Sequence, residues 1–142
     1  MTFRLLSESA NDNRRMIASP VSFMAAVEHL AAYRGYSHKT VVAGDMLELG
    51  ESSAFWHKEL GQKIAKSGAD RLVVVGRFAD MIIAGARAAG METARLERYE
   101  TVESALIGVA AELPPNACVL VKASNGMGLW LLVEGLRALH AA

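Results

Sequence analysis

Residues 72–76 read Leu-Val-Val-Val-Gly, an unbroken aliphatic run that ends at a glycine. Similar runs occur as Thr-Val-Val at 40–42 and as Cys-Val-Leu-Val at 118–121. Strands that are apolar throughout, rather than at alternate residues, are typical of a parallel sheet buried on both faces. We therefore predict a mostly parallel sheet that has these three segments as its central strands.

Apolar residues at helical spacing occupy the stretches between and beyond these strands. Ser19 followed by Pro20 is a typical start for the first helix, which is predicted to run to about Arg34. Further helices are predicted around Trp56–Ile64, Phe78–Ala89, Thr101–Leu113 and Leu129–Leu139, and weaker strands at Phe3–Ser7 and Thr93–Leu96. This alternation predicts a single α/β domain over residues 1–142, an open sheet with helices on both faces.

Composition and charge argue against several classes of protein. Lysine plus arginine number 15, as do aspartate plus glutamate, so bulk charge favours neither nucleic acid nor a membrane surface as partner. The single cysteine, Cys118, allows no internal disulfide and is predicted to be a buried thiol among aliphatic neighbours. No apolar run approaches the ~20 residues that cross a bilayer, and Met1–Leu6 does not resemble a signal peptide. We therefore expect a cytoplasmic location.

Three polar loops follow predicted strands, at 44–53, 76–80 and 122–128. In open parallel sheets the carboxyl ends of the strands meet at one edge, and ligands bind there. In the first loop, Asp45 and Glu48 could accept hydrogen bonds from an amine or a ribose, or approach a magnesium ion. On spacing alone, the alternative is that both carboxylates are solvated or cap the next helix.

The third loop reads Lys-Ala-Ser-Asn-Gly-Met-Gly from Lys122 to Gly128. Lys122, Ser124 and Asn125 at the start of a helix could form an anion cradle. The alternative, which the pattern leaves equally open, is a strand-to-helix turn that needs glycine for its backbone angles. The loop is neither a Walker A phosphate loop nor a Gly-x-Gly-x-x-Gly dinucleotide motif.

Because parallel strands end at one edge, we expect the loops at 45–48 and 122–126 to lie side by side. Lys122 is then expected to pair with Asp45 or Glu48 as an exposed ion pair, which contributes only about 0–1 kcal/mol. On that interpretation, replacing Lys122 by alanine barely changes the melting temperature and weakens contacts made at the edge.

His57 follows Trp56 near the start of a predicted helix. It has no cysteine or histidine partner at metal-binding spacing, so no metal site is predicted. A structural hydrogen bond to the neighbouring loop is the alternative to a role in catalysis. The sequence contains no Gly-x-Ser-x-Gly elbow and no phosphate loop, so no catalytic residue is predicted.

Residues 44–57 resemble a motif of the Mur ligase family. The order Gly-Asp-Met-x-Glu-Leu-Gly-x-x-Ser-x-x-x-His is that of the family member that joins D-alanyl-D-alanine to UDP-N-acetylmuramoyl-tripeptide, with Ser53 and His57 in place. Residues 121–126 resemble that family's Val-Lys-Gly/Ser-Ser-Asn/Arg-Gly turn, and residues 69–76 match in order and spacing. The resemblance covers about Pro20 to Leu139 and points to the C-terminal, Rossmann-like domain of the family.

The resemblance implies a part of a three-domain, ATP-dependent ligase of peptidoglycan precursors. An N-terminal domain binds the UDP-sugar, a central domain carries the ATP phosphate loop and the magnesium site, and the C-terminal domain closes over ATP and brings in D-alanyl-D-alanine. ATP and Mg²⁺ are thus expected in the full-length enzyme, and this chain alone is expected to bind neither tightly nor to catalyse ligation. The residues expected at the closing edge, nearest substrate and nucleotide, are Asp45, Glu48, His57, Lys122, Ser124 and Asn125.

The chain departs from the family pattern after its first strand. The family has Asp-Glu-Ser-Tyr-Asn-Ala-Asn-Pro-x-Ser there, on the nucleotide side of the closed cleft. Here Glu8-Ser9 and Pro20-x-Ser22 flank a longer segment that lacks the tyrosine. Two interpretations follow: a ligase domain whose residues 1–19 have diverged, or a stand-alone binding module that has the same fold and no ligase activity.

Overall fold

A computed structural model describes residues 3–7, 19–123 and 128–141 and contains one five-stranded sheet. Its strands are β1 (Phe3–Ser7), β2 (His38–Ala43), β3 (Arg71–Val75), β4 (Leu96–Tyr99) and β5 (Ala117–Lys122). They lie in the order β1-β5-β2-β3-β4, and every neighbouring pair is parallel. The predicted parallel sheet, with its three apolar runs as central strands, is confirmed.

Within the described residues, five α-helices cover the two faces of this sheet. They are α1 (Pro20–Ala32), α2 (Ser53–Lys66), α3 (Ala79–Ala88), α4 (Val102–Ala111) and α5 (Trp130–Ala141). The buried residues of α1, α2 and α3 form one core with the first face, and those of α4 and α5 form a second core with the other. The result is the three-layer α/β arrangement predicted from the alternation of elements.

Successive residues of the central strands enter opposite cores. Val41 of β2 and Leu72 of β3 pack under α1, α2 and α3, whereas Val42 and Val73 pack under α4 and α5. All four are fully buried. Because each face is covered, aliphatic side chains are favoured at both sets of positions, and each large one buried contributes about 1.5–3 kcal/mol.

The predicted start of the first helix is also confirmed. The Ser22 backbone N–H donates to Ser19 Oγ and the Ser19 backbone N–H donates to Ser22 Oγ, both at 3.1 Å. This reciprocal cap satisfies donors that the first helical turn leaves without partners. The helix ends at Ala32, slightly before the predicted Arg34, because Tyr33 adopts extended backbone angles.

The strand predicted at Thr93–Leu96 is wrong in position. Residues Thr93–Arg95 form a short 3-10 helix, and β4 begins only at Leu96. β4 is an edge strand that pairs with β3 alone and is only partly buried, so it includes charged residues such as Glu97 and Arg98. It therefore lacks the continuous apolar run that identified the central strands.

Candidate functional site

The loops that leave β2 and β5 meet at the carboxyl edge of the sheet. The Gly44 backbone N–H donates to the Lys122 carbonyl at 3.0 Å. A side chain on Gly44 would place its Cβ 2.7 Å from Cβ of Ala123, so glycine is required for this approach. The predicted juxtaposition is confirmed at the first residues of both loops. The predicted site residues Ser124 and Asn125 lie outside the described residues.

Asp45 joins the loop after β2 to the turn after β3. Its side chain is buried, and its two carboxylate oxygens accept hydrogen bonds from the backbone N–H groups of Arg77, at 3.0 Å, and Phe78, at 2.9 Å. Phe78 immediately precedes α3 and offers no side-chain cap of its own. Asp45 therefore supplies, from a distant loop, the negative charge that the N-terminus of a helix favours.

Glu48 stands in the same loop and is exposed. Its φ is 64°, which places it in the left-handed region where non-glycine residues are uncommon. Asp45 and the buried Met46 anchor the loop from one side, and the short 3-10 helix Gly50–Ser52 continues it on the other. Of the two carboxylates predicted to bind a ligand, Glu48 is thus the one that remains open to solvent.

His57 is fully buried beneath this loop. Its Nε2 accepts a hydrogen bond from the Met46 backbone N–H at 2.9 Å, and its Nδ1 donates to the Ser53 carbonyl at 2.6 Å. Because a backbone N–H can only donate, Nε2 carries no proton and the ring is neutral. The ring also stacks on Phe78, with centroids 4.4 Å apart.

These contacts correct the placement of His57 among the residues that touch substrate or nucleotide. Both ring nitrogens form hydrogen bonds within the chain, and the ring is buried from solvent. The structural hydrogen bond to the neighbouring loop, weighed above as the alternative, is what the structure contains.

The solvent exposure expected for a pair between Lys122 and Asp45 is also corrected. Lys122 is only 3% exposed and Asp45 only 4% exposed, so both residues are buried. Sequence spacing locates a residue along a strand but not its depth beneath the adjacent helix and loop. Lys122 is therefore a buried residue of the carboxyl edge, and its replacement is expected to lower the free energy of unfolding.

Arg77 and Phe78 are residues of the edge that the sequence analysis did not single out. Arg77 is exposed, and its guanidinium carbon lies 5.5 Å from the centroid of the Phe78 ring. Their position in the loop at 76–80, directly after the apolar run of β3, is the sequence feature that indicates a place at this edge. Their contact with Asp45, some thirty residues earlier in the chain, could not be predicted from the sequence.

The described part of the chain contains no group of three or more His, Cys, Asp or Glu side chains that could hold a metal ion. Likewise, none of the described helices is both long enough and apolar enough to span a bilayer.

Comparisons with known proteins agree on one family. Residues 18–125 match the family model described as "Mur ligase, glutamate ligase domain". The UDP-N-acetylmuramoyl-tripeptide–D-alanyl-D-alanine ligase of Bacillus subtilis is 35% identical over 119 residues, which is 84% of this chain and 26% of the relative. The chain thus spans about a quarter of the length of the curated relatives it matches.

Solved structures of similar proteins give the same result. MurF from Acinetobacter baumannii superimposes with a TM-score of 0.70 and 31% identity, over 84% of this chain and 26% of that one. The MurF ligase from Thermotoga maritima in complex with ADP gives a TM-score of 0.67 and 26% identity, over 83% of this chain and 25% of that one.

Proposed function

This chain belongs to the Mur ligase family through its glutamate ligase domain, and we propose that it serves as the C-terminal domain of a ligase that adds D-alanyl-D-alanine to UDP-N-acetylmuramoyl-tripeptide. The observation that carries the proposal is the carboxyl edge, where the loop at 44–50 lies against the end of β5 and the turn after β3. Gly44, Asp45 and Lys122, which belong to the stretches that resemble the family motifs, contribute to this edge.

In this function the chain binds and orients the incoming dipeptide while other domains hold the UDP-sugar and most of ATP. ATP supplies the phosphoryl group that activates the peptide carboxylate toward the amine. The exposed Glu48 carboxylate is suited to accept a hydrogen bond from that amine, and Lys122, Ser124 and Asn125 complete the proposed edge. Asp45 and His57 act indirectly, because their polar atoms hold the loop itself.

The residues that the structure describes do not form a complete magnesium site. Both oxygens of Asp45 already accept hydrogen bonds from backbone N–H groups, and the described residues contain no metal-binding cluster. Mg²⁺ prefers several oxygen ligands in near-octahedral geometry. We therefore assign the Mg²⁺ of the proposed ligase to the partner domain that carries the phosphate loop.

A domain exchange tests the proposal. The segment of the Bacillus subtilis relative that this chain matches is replaced by the chain, and phosphate release that depends on D-alanyl-D-alanine is measured. We expect ligation well above that of the relative truncated before the same segment, which is the matched control. A folded chimera no more active than the truncated control would contradict the proposal and favour the stand-alone binding module.

A further inference from the structure

The turn after β3 carries an exposed arginine that the proposed function does not use. The Arg77 backbone N–H donates to Asp45 Oδ2 at 3.0 Å, and its guanidinium lies over the Phe78 ring at 5.5 Å. Within the described residues, Arg77 forms no ion pair with a carboxylate, whereas Arg71 and Arg98 both do. The cationic group is thus available at the edge where ligands of parallel sheets bind.

Two other elements hold the turn of Arg77 and Phe78 and the Phe78 ring over which the guanidinium lies. Asp45, from the loop after β2, fixes the backbone of Arg77 and Phe78 through both of its oxygens. His57, from α2, stacks on the Phe78 ring with centroids 4.4 Å apart and an angle of 22° between the planes. A side chain supported in this way loses less conformational freedom when it binds a ligand.

The same contacts determine which group can bind an anion here. The N–H groups at the start of a helix usually attract anions, but Asp45 already occupies those of Arg77 and Phe78. The guanidinium is therefore the group of Arg77 that remains to bind an anion. Its planar fork can donate two parallel hydrogen bonds to a carboxylate or a phosphate.

We propose that Arg77 binds an anionic oxygen group, a carboxylate or a phosphate, and that Asp45, Phe78 and His57 are its positioning residues. Only the identity of the ligand rests on the proposed function. In that ligase the two sources of such a group are the carboxylate of the incoming dipeptide and the phosphates of the nucleotide.

The test is an NMR titration of the isotopically labelled chain, followed at the Arg77 Nε–H resonance. D-alanyl-D-alanine, its C-terminal amide and ATP are added in separate titrations. We expect a saturable shift with Kd of about 1–10 mM, since one supported ion pair binds weakly. A shift with D-alanyl-D-alanine but not with its C-terminal amide assigns the site to the dipeptide carboxylate. A shift with ATP alone assigns it to phosphate.

Substitutions distinguish binding at Arg77 from a general effect of positive charge on the surface. Arg77→Gln should weaken binding at least about tenfold, and Arg77→Lys several-fold, because lysine keeps the charge and loses the fork. Arg87→Gln, which removes an exposed arginine from the last turn of α3, is the matched control and should bind as the parent does. Binding that survives in Arg77→Gln overturns the proposal, as does the lack of a saturable shift with any probe up to about 50 mM, several times the expected Kd.

The positioning role has its own measurement. Phe78→Leu keeps an apolar side chain and removes the ring beneath the guanidinium, so the ¹⁵Nε relaxation of Arg77 should report greater mobility and the affinity should fall several-fold. Unchanged mobility and affinity in this variant would remove the positioning role. Anion binding at Arg77 together with an inactive chimera would contradict the proposed function alone. An active chimera whose Arg77→Gln form keeps its KM for dipeptide and ATP would contradict this inference alone.

Discussion

Asp45 is a buried carboxylate whose position is explained by the two backbone donors it accepts from. A hydrogen bond to a charged group contributes about 1.5–3 kcal/mol, and burying an unpartnered carboxylate costs more than that. Arg77 and Phe78 supply both donors, so each oxygen of the buried carboxylate accepts a backbone hydrogen bond. One residue thereby sets the distance between two loops of the edge, which is a role that its place in a motif did not reveal.

Lys122→Ala is expected to destabilise the fold. The lysine is the last residue of β5 and is 3% exposed, so its aliphatic stem is packed within the sheet and its replacement leaves a cavity. A loss of about 2–3 kcal/mol in the free energy of unfolding is expected. Urea unfolding measures it, with Lys66→Ala, an exposed lysine at the end of α2, as the control. Equal stability of the two variants would contradict the buried role of Lys122.

The stability of the chain should decrease as the pH falls below about 6.5. Burial is the main cause that lowers the pKa of His38 from its ordinary value of 6.5, and Arg71 and Arg95 lower it further, against Asp70. The unfolded chain then binds the proton more readily, so acid favours unfolding. Urea unfolding at pH 7.5 and pH 5.5 should show the decrease, and His38→Gln should reduce it. A decrease of the same size in that variant would contradict this assignment.

A second loss of stability is expected in more acidic solution. Burial raises the pKa of Glu97, but hydrogen bonds from Arg71 and Tyr99 outweigh it and leave the pKa below its ordinary value of 4.5. The stabilisation is complete above pH 4.5 and is lost as the pH falls through the lower, folded-state value. In thermal melts below pH 4.5, Glu97→Gln should reduce the dependence of the melting temperature on pH. An unchanged dependence in this variant would contradict the expectation.

At the scale of elements, α2 and α3 pack with their backbones in close approach. A Cβ on Gly85 would lie 2.0 Å from the Lys58 carbonyl oxygen, and one on Gly61 would lie 1.9 Å from that of Ile82. No side chain can move aside to relieve such an overlap. The two glycines therefore permit an interhelical distance that holds α3, and the Arg77–Phe78 turn before it, against the rest of the edge.

Gly85→Ala is expected to destabilise the chain although alanine favours helix. The gain in helix propensity is about 1 kcal/mol, whereas separating two packed helices costs about 1–3 kcal/mol or more. The control is Gly135→Ala in α5, where the three atoms nearest to the new Cβ all belong to the movable side chain of Leu106. Thermal melts should show a clearly larger decrease for Gly85→Ala. The reverse order would show that the α2–α3 contact can adjust.

The elements differ in how far the sequence predicts them. Runs such as 72–75 identify the central strands because burial on both faces excludes polar residues at every position. β4 was placed too early because, as a half-buried edge strand, it includes Glu97 and Arg98 and has no such run. At the site, motif spacing correctly located Asp45 and His57 near the carboxyl edge of the sheet. Their partners Arg77 and Phe78 come from the next strand's loop, and a contact between distant segments has no signature in a single sequence.

At the scale of the whole molecule, we expect the isolated chain neither to hydrolyse ATP nor to ligate D-alanyl-D-alanine. Phosphoryl transfer depends on a phosphate loop and its metal to position and neutralise the phosphates, and the 142 residues contain no Gly-x-x-x-x-Gly-Lys-Ser/Thr motif. A phosphate-release assay on the purified chain, with the full-length Bacillus subtilis relative as the positive control, measures this. Turnover above background that disappears in Glu48→Gln, which changes an exposed residue of the carboxyl edge, would contradict the expectation, because this edge would then take part in the reaction without the domains assigned to ATP.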